Sequence, residues 1–136
     1  MSRITKMLTR LAIESDGVAN GRVRMAAGIV YKKHLISSGV NSYKSHPMMS
    51  EDNGYRNGQI YMHAEVAAIR NALRLITPQQ LSKCSIYIVT VKRPHINSKK
   101  WIHGLAKPCP GCASLIASFG IENVFWTEDE SKILDF

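Results

Sequence analysis

Two short runs, His63-Ala64-Glu65 and Pro108-Cys109-Pro110-Gly111-Cys112, constrain this chain more than anything else in it. Each alone says little. Together they supply an imidazole, two thiols and a carboxylate that need not be a ligand. Thiolates and imidazoles are zinc ligands, and a zinc with three protein ligands keeps a fourth position for water. A fold that uses both runs has to bring two distant parts of the chain to one place.

Local patterning shows how it can. A helix is predicted over 109–119, with Pro110 suited to its first turn and Gly120 just past its end. Cys109 and Cys112 are three apart at its start and share a face. A helix N-terminus favours anions, which helps both thiols to ionise. His63 lies near the start of a second predicted helix, 61–76. There Ala64, Val66, Ala67, Ala68, Ile69, Ala72, Leu73 and Leu75 are apolar over most of the circumference. Such a helix is buried between layers, and Thr77-Pro78 is expected to end it. Joining the two helix starts beside a sheet completes a His63/Cys109/Cys112 site. Glu65, two residues from His63, is badly spaced to share the metal. It is well placed to take a proton from water there and return it, base first and acid later.

The rest of the chain supplies the sheet. Ile4, Met7, Leu8 and Leu11 recur at helical spacing and predict a first helix of about a dozen residues. Residues 23–31 read as a strand buried on both faces. Lys32-Lys33 is a turn, and 35–40 is a second strand of an antiparallel hairpin. From 41 to 59 periodicity vanishes, a long loop placed to cover a substrate. Residues 85–91 are a third, β-branched strand preceded by Cys84, a small core hydrophobe. A basic loop, 92–107, follows with His95, Trp101 and His103. Residues 124–127 form a fourth strand in which Phe125 and Trp126 alternate, one toward the core and one toward the pocket edge. The tail, 128–136, is a fifth strand or a docked helical turn. The order α-β-β-α-β-α-β implies a hairpin plus parallel crossovers. The expected fold is a three-layer α/β/α sandwich around a mixed sheet of about five strands, in one domain over 1–136.

Composition sets outer bounds. At 45% apolar the chain can bury a core without disulfides, and three cysteines with one tight pair argue against a secreted disulfide framework. No apolar run is long enough to span a bilayer, and the opening residues lack a signal-peptide pattern. A cytoplasmic protein is the default. The net charge of +8 suits anionic partners such as nucleotides or nucleic acid without choosing between them.

His63-Ala64-Glu65 with Pro108-Cys109-Pro110-Gly111-Cys112 resembles the zinc-dependent cytidine and deoxycytidylate deaminase superfamily. The resemblance implies zinc on His63, Cys109 and Cys112, with Glu65 as the proton carrier. It places Asn41, at the end of the second strand, against a nucleoside sugar. Ala64, Lys44 and Trp126 are further substrate-contact candidates, and Arg56 is a second phosphate candidate beside Lys44. Ala67 stands where many deoxycytidylate deaminases carry asparagine. The implied reaction converts a cytosine nucleoside or nucleotide, dCMP favoured, to its uracil form with release of ammonia. A homo-oligomer is the implied assembly. The alternatives are a nucleic-acid-editing or purine-base deaminase of the same fold, or a non-catalytic zinc-binding domain. The editing alternative rests on Trp101 stacking a base beside Lys99 and Lys100. The non-catalytic one needs a fourth ligand, from His103 or Cys84.

Overall fold

The computed structural model describes residues 1–15, 23–41, 63–95 and 97–135. The expected covering loop from residue 42 on, with Lys44 and Arg56, lies outside the described residues. The elements are α1 (Arg3–Glu14), β1 (Val23–Tyr31), β2 (His34–Val40), α2 (Ala64–Ala72), α3 (Pro78–Leu81), β3 (Ser85–Lys92), β4 (Ile102–Gly104), α4 (Pro110–Ser118) and β5 (Asn123–Trp126).

β1 and β2 form the expected hairpin, and its turn residues Lys32 and Lys33 both take positive φ, 49° and 70°. That twist matches the flanking strands. β1 pairs antiparallel with β3 on its other side, so β2 and β3 run the same way and α2 crosses over β1 between them. α4 carries the chain from β3 to β5, which pairs with β3 in parallel. The hairpin and both crossovers are therefore as expected. β4 is not. It is a three-residue strand inside the predicted basic loop, antiparallel to the end of β3 through Thr90↔Gly104 and Lys92↔Ile102. Three residues are too few to show an alternating pattern.

Helices cover both faces of this mixed five-stranded sheet. α2 and α4 lie on one face, where Val66, Ile69, Leu115 and Ile116 pack with Ile29, Ile86 and Ile88. Each fully buried aliphatic side chain there contributes roughly 1.5–3 kcal/mol. α1 lies on the other face, burying Leu8 and Ala12 against Ala26, Val89 and Val91. Met7 is exposed, unlike its expected place in the apolar stripe, because the buried face centres on Leu8 and Ala12. α2 approaches β2 very closely. A Cβ on Gly39 would lie 2.5 Å from the Ala67 Cβ and 2.6 Å from the Ala68 N, so both small residues are needed there.

α2 is shorter than the expected 61–76 helix. Thr77 does not simply stop it but caps α3. The Thr77 hydroxyl accepts from Gln80 N at 3.2 Å, and Gln80 Oε1 accepts from Thr77 N at 2.9 Å. This is a capping box, legible in Thr77-Pro78-Gln79-Gln80.

The tail is neither of the two expected forms. It runs beside the 101–105 segment as a strap, with Glu130 N donating to His103 O and Leu134 N to Trp101 O. Asp129 ties it down, accepting from Lys92 Nζ at 2.8 Å and from Leu105 N at 3.1 Å.

Candidate active site

His63 is the N-cap residue of α2, in extended conformation, and its side chain makes no capping bond. The imidazole is free to turn toward α4 instead. Its Nδ1 lies 3.2 Å from Cys112 Sγ and 3.5 Å from Cys109 Sγ. Cys109 is the N-cap residue of α4, and its Sγ accepts from Cys112 N at 3.4 Å. Pro110 fills the next position, where a missing N–H costs nothing. The three ligand atoms lie within 4.8 Å of one another.

The electrostatics suit metal binding. The Cys109 thiol is pulled down to about 4, chiefly by its hydrogen bond with the Cys112 side chain and further by His63, against the cost of burial. His63 is pushed up by its hydrogen bond with Cys109, then by the charges of Cys109 and Glu65. An anionic thiolate against an imidazole is a site prepared for a cation that takes the place of the proton.

Glu65, in the first turn of α2, is only 2% exposed. Its Oε1 has no partner among the described residues. Burial is the largest influence on the carboxyl and pushes it above the usual carboxylate range, opposed first by a hydrogen bond from its own backbone N–H, then by the positive charge of His63 and a hydrogen bond with Cys112. An orphaned buried carboxyl oxygen is expensive, and beside two thiols and an imidazole it fits a metal-assisted proton carrier. One nitrogen and two sulfurs in reach of one point fit zinc by donor type.

Neither sequence candidate for a fourth ligand joins the cluster. His103 is bonded to Thr9 on the α1 face, and Cys84 donates to Gln80 O at 3.4 Å while buried as a core residue. Asn41 sits at the end of β2, where its Oδ1 accepts from Met25 N at 3.1 Å. Ala64 is fully buried. Trp126 Nε1 donates to Glu128 Oε1 at 3.2 Å. Phe125 and Trp126 are 48% and 37% exposed, so neither is core, contrary to the alternation argument. β5 pairs with β3 alone among the described strands. Trp101 is not an open stacking platform. It packs into the α1-side core, with the Arg24 and Arg93 guanidiniums 5.2 and 4.9 Å from its ring centroid. Arg24 comes from β1 and Arg93 from the other end of the same basic loop, contacts that residue spacing does not reveal.

Residues 2–128 match the cytidine and deoxycytidylate deaminase zinc-binding region. The chain belongs to that family. Solved structures agree in fold. The dCMP deaminase of cyanophage S-TIM5, in complex with dCMP and dUMP, aligns with a TM-score of 0.58 at 17% identity, over 93% of this chain and 82% of that one. Its apo form gives 0.56 at 16%, over 96% and 88%. Guanine deaminase from Bacillus subtilis gives 0.53 at 23%, over 94% and 65%. No curated protein matches the chain by sequence. The family is zinc-binding, and His63, Cys109 and Cys112 form the group able to hold a metal. The family makes the chain a hydrolytic deaminase. No helix among the described residues is long and apolar enough to cross a membrane.

Proposed function

We propose that this deaminase acts on a cytosine nucleotide, dCMP foremost, converting it to the uracil form. The observation that carries the reading is Glu65 Oε1, buried and unpartnered beside the His63/Cys109/Cys112 cluster. Those three residues would hold zinc, which when bound acts as a Lewis acid and lowers the pKa of water toward neutrality. Glu65 takes one water proton on Oε1 and passes it to the pyrimidine ring nitrogen; it then takes the remaining proton from the hydroxyl of the tetrahedral adduct and delivers it to the departing amine as the C–N bond breaks. Water and the amine-bearing carbon thus become a carbonyl and ammonia.

Asn41 is held by Met25 N through its oxygen, which leaves its Nδ2 to donate to a sugar oxygen. Ala64 closes the base pocket beneath the ring, and Lys44 takes the phosphate. The +8 charge favours the phosphorylated substrate, as does the likeness to a dCMP-bound phage enzyme. The protein works as a cytoplasmic homo-oligomer in this reading. A second reading, a guanine-type base deaminase, draws support from the fold shared with the Bacillus enzyme. The nucleic-acid reading loses its stacking ring, since Trp101 already carries two guanidiniums.

The test is ammonia release by the zinc-loaded protein on dCMP, deoxycytidine, cytidine and guanine. Glu65→Gln is expected to keep its zinc and lose about 10²–10⁴-fold in turnover. Full turnover by that variant sinks the mechanism. Guanine turnover with none on dCMP selects the second reading.

A further inference from the structure

A cavity of about 760 Å³ opens on the α1 side of the sheet, across the strands from the His63 cluster. It lies between the start of α1, the flank of β3 and β5, and the strap formed by the tail. We propose that it is a second binding site, for an uncharged heteroaromatic ring of nucleobase size that carries an N–H donor. The proposal is independent of the substrate assigned above.

Three observations shape this ligand. The first is size, since pockets for small molecules commonly measure about 300–1,000 Å³. The second is an aromatic wall. Tyr87 and Phe125 stack with centroids 4.7 Å apart and an interplanar angle of 27°. Phe125 leaves about half of its surface in water, so a planar guest extends the stack at little cost.

The third is an anchor. His103 lines the cavity and is only 4% exposed. Its Nε2 lies 2.9 Å from Thr9 Oγ1, while that hydroxyl donates its proton to Thr5 O at 2.7 Å. Thr9 therefore accepts, and Nε2 carries the ring's hydrogen. Burial disfavours the imidazolium, so Nδ1 is left as an acceptor. A ligand N–H can donate to it. Trp126 cannot, because its own N–H goes to Glu128.

Charge sets the class. Glu128, Glu130 and Asp135 meet Lys6 and Lys132 in the lining, so there is no positive surplus for a phosphate. This cavity should prefer nucleosides to nucleotides, the opposite of the preference assigned to the zinc site.

The test uses zinc-loaded, full-length Glu65→Gln, in which turnover is blocked, titrated with adenosine, cytidine and their 5′-monophosphates by heteronuclear NMR. The nucleosides are expected to shift the Tyr87 and Phe125 amides and move the His103 Nδ1 resonance as it accepts a hydrogen bond. The monophosphates should shift them less. Adding Phe125→Ala should weaken this binding about tenfold, and adding His103→Phe, which removes the acceptor, should weaken the nucleoside-induced shifts of the Tyr87 and Phe125 amides as well. Both should leave shifts around His63 unchanged. Shifts confined to the His63 and Cys112 neighbourhood, no shift at all, or equal affinity for the monophosphates would overturn the proposal. A circular dichroism melt of Phe125→Ala, whose ring is half in solvent, guards against a folding artefact.

Discussion

His63 and His103 sit on opposite faces of one sheet, and their surroundings push them in opposite directions. His63 faces two thiols, and its hydrogen bond with Cys109 raises its affinity for a proton. His103 faces a hydroxyl that has already donated its own proton, and burial lowers its affinity. One ring is prepared for a cation and the other is locked as a neutral tautomer. The side chain is the same in both, so the partner atoms decide between metal ligand and fixed acceptor. The two helical layers divide along the same line. The α2/α4 face carries the metal-ligating cluster, while the α1 face carries the open cavity.

The largest test of that division removes a partner of His63. Cys112→Ala should strip zinc affinity by more than the ~10–100-fold typical of losing an outer partner, with deaminase activity lost alongside, by metal analysis and ammonia assay. Next come the two close-packed glycines. Gly39→Ala drives a Cβ to 2.6 Å from Ala68 N and 2.8 Å from Ala67 C, which is backbone and cannot yield. It should cost about 1–3 kcal/mol in urea unfolding and lower kcat, because α2 carries Glu65. Gly28→Ala on the α1 face meets only the side-chain ends of Leu35 and Leu8, 2.5 and 3.0 Å away. Its net cost should be small, about 1 kcal/mol or less after the unfolded-state gain, and activity should stay unchanged.

Thr9→Val is the α1-side counterpart of Cys112→Ala. It leaves the His103 Nε2–H unsatisfied and should cost about 1–3 kcal/mol, with zinc content and kcat intact. Loss of zinc in that variant would show that the faces are coupled. The smallest effect is in pH. A depressed histidine lets the folded state bind fewer protons than the unfolded one. Its contribution is therefore complete above the ordinary value of 6.5 and is lost as pH falls through the lower folded value. Urea midpoints should decline through this window in the parent and decline less in His103→Phe.

Sequence patterning located α1, β1 through β3 and α4, because each rests on spacing within one segment, while the zinc cluster was legible because its two short motifs carry matching ligand types. Gly39 against Ala67 was not legible, since a small residue in a strand does not name the helix it meets. β4 was hidden by its three-residue length, and the tail strap by bonds made only through its backbone. Trp101 was read as open because its arginines arrive from β1 and from the end of β3. His103 looked like a spare ligand until its hydroxyl partner on α1 was in view. What sequence missed in each case is a contact between segments with no shared period.

The separation of His63 from the cysteines, 46 and 49 residues along the chain, also has a kinetic side. Cys109 and Cys112 lie within a single turn and meet as soon as α4 forms. His63 reaches them only after α2 has crossed β1 and β3 has been laid down beside it. Closing a loop of that length costs entropy that native packing must first repay. The metal site is thus a late event in folding. A chain caught on the way presents its two thiols alone, before imidazole or buried carboxyl is there to control what they bind.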